Sequence, residues 1–163
     1  MRGLPLTWRV VSLRSSRFVW VSTHTWRTAP LRVVTVILWA SPQELRGDAA
    51  VNFGILEKMG ANILVFDGGT WNAAIDSVPM KDVILIDALL GTGAVGEPRS
   101  PYDQAIAWLN SHRGIVFAID LPSGLDADSG LPSRNTIRAD FTLTFVSKKP
   151  GFITPGAEPY VGT

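Results

Sequence analysis

The feature that most constrains this chain is a recurring pair: a short β-branched run followed by an amphipathic helical segment. Runs of this kind are VVTVIL at 33–38, NILVF at 62–66, DVILID at 82–87 and GIVFAID at 114–120, with ADFTLTFV at 139–146 as one more. Near-continuous apolar runs suit strands covered on both faces. Between the first two, Ser41-Pro42-Gln43-Glu44 has the form of a capping box with proline at the first helical position. The helix predicted from there carries an apolar stripe of Leu45, Ala49, Phe53, Leu56 and Met59, and Gly60 ends it. A second box, Ser100-Pro101-Tyr102-Asp103, predicts a helix with Ala105, Ile106 and Leu109 inward, His112 and Arg113 in its last turn and Gly114 as its stop. Asp67 to Thr70 reads as a turn, with a weak helix around Trp71 to Ile75. The alternation predicts a doubly wound α/β fold, a three-layer sandwich with a mostly parallel sheet.

Composition narrows the chemistry. The 163 residues fit one domain; 46% are hydrophobic and 18% charged, which excludes wholesale disorder. No run approaches the roughly 20 apolar residues of a membrane-spanning helix. With no cysteine, thiol nucleophiles, zinc ribbons and disulfide scaffolds are out, and two histidines make a histidine-rich metal centre an unattractive reading. Charge is divided along the chain: six arginines and no acid precede Glu44. Residues 1–31 therefore read as an atypical basic leader outside the core, and 32–163 as the domain. The leader has the Arg- and Ser-rich character of a transit peptide without its amphipathicity. Its WRVV and RFVWV look like strand fragments, and its arginines mark no helical face that would bind nucleic acid. The expected compartment is the cytoplasm, or an organelle if the leader is a transit peptide.

In doubly wound folds ligands bind beyond the carboxyl ends of the strands. Two loops there stand out. Asp87 is followed by Gly91-Thr92-Gly93-Ala94-Val95-Gly96-Glu97, a literal G-x-G-x-x-G. A dinucleotide fingerprint must open its helix directly so that the helix N-terminus meets the pyrophosphate, whereas Pro98 and Pro101 delay the helix here. The loop is instead a candidate phosphate cradle of backbone amides, or a plain turn. The second loop is Asp120-Leu121-Pro122-Ser123-Gly124. If their strands are neighbours, Asp87 and Asp120 lie close enough to share a proton, hold a cation or divide acid and base duties; each alone would simply cap local amides. Ser123 has no evident histidine partner, so a hydrolase triad is disfavoured. Lys148 and Lys149, after the last strand, could meet a ligand phosphate at the same edge, but solvated surface lysines are the stronger reading.

Together GDAAVNFGILEKMGA, DALLGTGAVGEPRSPYDQAIAWLN, AIDLPSGLDADSG and ADFTLTFVSKKPGFITPGAEPYVG resemble the NAD(P)H-hydrate epimerase family, the YjeF N-terminal domain. The resemblance spans roughly Val33 to Gly162. It implies a Rossmann-like fold and interconversion of the R and S epimers of NADHX and NADPHX, damaged hydrated nicotinamides that a separate dehydratase restores. It implies a potassium ion, with Asp87 and Ser123 matching its ligands. Gly91, Thr92, Gly93, Ala94, Val95, Gly96 and Glu97 match the substrate loop, and Asp120 matches a substrate-binding acid suited to proton transfer if burial raises its pKa. Family members often form homodimers.

The chain departs from the family in lacking the Gly-Asn-Asn-Gly-Gly-Asp loop that supplies an asparagine to the cation. Its place is taken by the tryptophan-bearing basic head, which suggests a misplaced start or shifted frame upstream of about Leu31, and family members usually continue beyond the point matching Thr163. The main competing expectation is a noncatalytic module binding RNA or protein; a nicotinamide-dependent dehydrogenase ranks below both.

Overall fold

In a computed structural model of the chain, residues 7–11, 34–66 and 83–163 are described. Six parallel strands form one sheet: β1 (Thr7–Val11), β2 (Val34–Leu38), β3 (Asn62–Val65), β4 (Val83–Asp87), β5 (Ile115–Ile119) and β6 (Phe141–Leu143), in the order β3-β2-β1-β4-β5-β6. The helices are α1 (Asp48–Lys58), α2 (Tyr102–Ser111) and the short α3 (Glu158–Val161). This is the doubly wound order, which reverses direction between β1 and β4; at that point Val11 is level with Asp87.

The layers follow from the period-two alternation of a strand. Along β2, Val36 and Leu38 turn to one face, where Leu45, Ala49 and Leu56 of the α1 region cover them. Ile37 turns to the other, joining Leu85, Val116 and Ala118 under Ile106 and Leu109 of α2. Helix, sheet and helix are thus stacked as the patterning predicts. A third cluster, Leu121, Leu125, Phe152, Ala157 and Val161, ties the loop after β5 to the C-terminal segment.

Several sequence expectations are corrected in detail. Residues 1–31 are not wholly outside the core, since Thr7–Val11 forms a strand between β2 and β4. The first capping box opens only a 3-10 turn, Pro42–Glu44; Leu45 returns to extended backbone and α1 begins after Gly47. Ser41 spends its hydroxyl on the Gln43 side chain rather than on a helix amide, and Met59 is half exposed instead of completing the stripe. Gly60, at φ +68°, does end the helix in the left-handed region. At the second box the N-cap is Pro101, and Ser100 Oγ accepts from Gln104 Nε2 (3.0 Å). His112 lies just past α2, where its ring lies against Trp108 and its Nδ1 sits 2.6 Å from the Trp108 carbonyl, a capping arrangement. Gly114 is needed for close approach: a Cβ there would lie 3.1 Å from Val83. The turn at Asp67 and the weak helix around Trp71 to Ile75 fall outside the described residues.

Candidate functional site

Beyond the carboxyl ends of β4 and β5, two loops meet over a cleft of about 270 Å³ lined by Leu90, Gly91, Gly96 and Glu97 on one side and by Ser123 and Gly124 on the other. The first loop stays non-helical until Tyr102, as its prolines predict. Ala94 N–H bonds the Gly91 carbonyl (3.0 Å), making a turn of the glycine-rich stretch. Glu97 does more than line the cleft: its carboxylate accepts the Arg134 N–H (3.0 and 3.2 Å), bracing the loop against the segment that follows Ser133. Gly91 and Gly93 have no positive φ, and a Cβ on either would meet nothing within 4 Å. Neither local backbone geometry nor close packing among the described residues calls for glycine there.

The second loop is fixed from below and behind. Leu121 and Leu125 are buried in the third cluster. Gly124, at φ +91°, admits no side chain, because a Cβ would come within 2.3 Å of the Asn135 carbonyl oxygen. The Gly124 carbonyl accepts from Ser133 N (2.8 Å) and Thr136 Oγ1 (2.9 Å). Each buried leucine contributes roughly 1.5–3 kcal/mol. Together they outweigh the roughly 1–3 kcal/mol cost of the left-handed backbone at Asp120, φ +70°.

Asp87 is fully buried at the end of β4. Its Oδ1 accepts from Ser123 Oγ (2.7 Å) and Leu89 N (3.1 Å), and its Oδ2 from Ser123 N (2.7 Å). Ser123 Oγ in turn accepts from Leu90 N (2.9 Å), so this one side chain joins both loops. Burial raises the Asp87 pKa from 3.8 to about 6, although all three hydrogen bonds pull it down.

Asp120, just beyond β5, is held differently. Its N–H donates to the Leu143 carbonyl of β6 (2.7 Å). Its Oδ1 accepts from Lys149 Nζ (2.7 Å), Phe145 N (3.2 Å) and Thr144 Oγ1 (3.4 Å). Burial alone would raise its pKa, but the Lys149 hydrogen bond, the Phe145 amide, the Lys149 charge and the Thr144 hydroxyl outweigh it and lower the pKa from 3.8. The condition set for Asp120 as a proton donor, a pKa raised by burial, is therefore not met; the raised carboxyl is Asp87. The strands β4 and β5 are indeed neighbours. The two acids nonetheless have separate partners, Ser123 and Leu89 against Lys149, Phe145 and Thr144, and no hydrogen bond joins them.

Lys149 is what the sequence reading missed: it is an ion-pair partner with 16% of its side chain exposed, not a solvated lysine. Its neighbour Lys148 is exposed, as expected. The signal was present in the placement of Lys149 after the strand that flanks β5. Among the described residues no group of three or more His, Cys, Asp or Glu side chains is placed to hold a metal ion, and no helix is long and apolar enough to cross a membrane.

A parallel sheet in doubly wound order, with an acid at the end of each of two adjacent strands and a cleft between the loops that follow them, defines a Rossmann-like domain. Residues 27–151 match the family described as YjeF-related protein N-terminus, and the chain belongs to that family. It is 40% identical over 129 residues to the NAD(P)H-hydrate epimerase of Pirellula staleyi, covering 79% of this chain and 57% of that protein. It is 37% identical over 145 residues to the bifunctional NAD(P)H-hydrate repair enzyme Nnr of Hyperthermus butylicus, covering 79% of this chain and 27% of that one. The chain thus spans about a quarter to rather over half the length of these relatives. The crystal structure of the yeast protein ynu0 shares the fold, with a TM-score of 0.61 at 19% identity over 74% of this chain and 49% of that one.

Proposed function

We propose that this chain is an NAD(P)H-hydrate epimerase that interconverts the R and S epimers of NADHX and NADPHX, the pool from which a dehydratase regenerates the cofactor. The observation that carries the reading is the cleft itself. The loop from Gly91 to Glu97 that lines it leaves open space among the described residues at Gly91 and Gly93, and the neighbouring strand ends at Asp120, whose pKa is lowered from 3.8. The names of the 36–40% identical epimerases support the same assignment. Gly91 to Glu97 would take the phosphates and ribose through backbone amides. Asp120 would meet the hydrated ring and move the proton that epimerisation requires.

A potassium ion is part of this reading. The donors suit it: Asp87 offers a buried anionic oxygen and Ser123 a hydroxyl, both hard ligands, and a cation would offset the cost of ionising Asp87 in the interior. When bound, the ion balances substrate charge. The competing module reading, a domain that binds RNA or protein without catalysis, draws on the missing asparagine loop.

A coupled assay decides between them. An S-specific dehydratase first exhausts the S epimer from an NADHX mixture; this protein is then added with potassium, and NADH absorbance is followed. Recovery well above the spontaneous rate is expected. No acceleration from folded protein would overturn the assignment and leave the binding module.

A further inference from the structure

We propose that Lys149 is the positioning residue for Asp120, holding one oxygen of that carboxylate so that the other is presented to the substrate as a charged acceptor. This rests on the reading that Asp120 meets the substrate. All three of its side-chain hydrogen bonds, from Lys149, Phe145 and Thr144, converge on Oδ1. Oδ2 has no partner among the described residues. A carboxylate saturated on one oxygen and open on the other is fixed in direction and keeps its remaining lone pairs for a ligand.

The geometry of residues 144–149 fits that task. Lys149 Nζ also donates to the Phe145 carbonyl (3.1 Å), and the Ser147 N–H donates to the same carbonyl (2.8 Å) across a three-residue turn centred on Val146. Val146 lies at φ +67°, where a β-branched residue is strained. The turn carries the Phe145 amide and the ammonium to the same carboxylate oxygen. Lys149 is the one ionisable side chain paired with Asp120 among the described residues.

The arrangement also fixes the direction of the first proton transfer. An ionised Asp120 begins as an acceptor, so it takes the proton of the ring hydroxyl. The oxygen's electron pair then forms a carbonyl as the bond from that carbon to the ring nitrogen breaks. The nitrogen keeps the bonding pair and takes up a proton; readdition of the nitrogen to the other face, with the protons returned, gives the other epimer. No oxidant or reductant is needed.

Carboxyl-carbon NMR titration of Asp120 tests the clamp without turnover, and the pH profile tests its use. In Lys149→Met the Asp120 midpoint should move up, and the acidic limb of kcat/KM should move up with it. At neutral pH, kcat should fall roughly 10- to 100-fold with KM changed far less, the loss expected of a misdirected catalytic group. Lys149→Arg, which keeps the charge, should restore most of both; Lys148→Met should change neither. An unmoved midpoint in Lys149→Met overturns the proposal. So does a rise in KM alone with an unmoved acidic limb, which would make Lys149 a contact for substrate phosphate. A shifted midpoint in a protein whose wild type has no epimerase activity supports the clamp and overturns the functional reading instead.

Discussion

The ends of β4 and β5 carry the same residue type and treat it in opposite ways. Asp87 is buried among neutral donors and holds its proton up to about pH 6; Asp120 meets an ammonium and stays ionised below its ordinary value. Strand topology delivers both carboxyls to one edge of the sheet, but the charge each carries is set by what surrounds it. For Asp87 burial raises the pKa against the pull of the Ser123 hydroxyl and amide that the loop brings, and for Asp120 the arriving loop brings Lys149, which lowers it. One end keeps its carboxyl dry among neutral donors, the other keeps it charged beside a cation.

The strongest way to break this division is Asp120→Asn. The amide keeps the shape but cannot accept a proton, so kcat should fall by roughly 10²- to 10⁴-fold, the range expected for loss of a general base. The melting temperature should fall modestly with the loss of the Lys149 ion pair, while the fold is kept, because 120 is partly exposed and its backbone bond to Leu143 is unaffected. Turnover near wild type in the coupled assay would remove Asp120 from the chemistry.

At the Asp87 end the expected effect is on stability. The native state binds this proton more tightly than the unfolded chain, so stability falls as pH rises from about 4 to about 6 and is level above that. A displacement from 3.8 to about 6 corresponds to about 3 kcal/mol over that window. Asp120 has the reverse sign: its depressed pKa adds stability above 3.8 that is lost as pH falls further. Urea titrations between pH 4 and 7 should show the first slope in wild type and not in Asp87→Asn. If a cation offsets the buried charge, 0.1 M potassium at pH 7 should raise the wild-type melting temperature relative to tetramethylammonium at equal ionic strength, and leave Asp87→Asn unmoved. Equal melting temperatures for wild type in the two salts would remove the cation from this site.

Most of the sheet was legible in the sequence because apolar runs without alternation have few other uses in a chain of this size. β2, β4 and β5 fall within a residue or two of their predicted bounds, and both strand-end acids stand where the pattern puts them. Helix starts were less legible. A capping box specifies donors and acceptors over four residues, and at Ser41 the Gln43 side chain competes for the hydroxyl while Gly47 interrupts the run. The central position of Thr7–Val11 was hidden by its basic, acid-free surroundings, which obscure a five-residue strand. Protonation states were the least legible. Asp120 and Lys149 are far apart in sequence, and only the pairing of β5 with β6 brings the segment after β6 back over the end of β5.

The smallest expected effect sharpens the comparison at its rim. Asp120 and Val146 share nearly the same left-handed backbone, φ +70° and +67°, but aspartate tolerates it and a β-branched residue does not. The left-handed conformation costs an ordinary residue roughly 1–2 kcal/mol. Glycine would remove that strain at an entropic cost of roughly 0.5–1 kcal/mol. Val146 is fully exposed, so no packing is lost with its side chain. Val146→Gly should therefore stabilise the protein by about 0.5 kcal/mol, read as a higher urea midpoint at unchanged slope. It should also lower kcat by a few-fold, because the turn that carries Phe145 and Lys149 to Asp120 becomes less rigid. A variant that gains stability with undiminished kcat would show that the strained valine is incidental to the clamp, and one that loses stability would show that the left-handed turn is held by more than the chain's local preference.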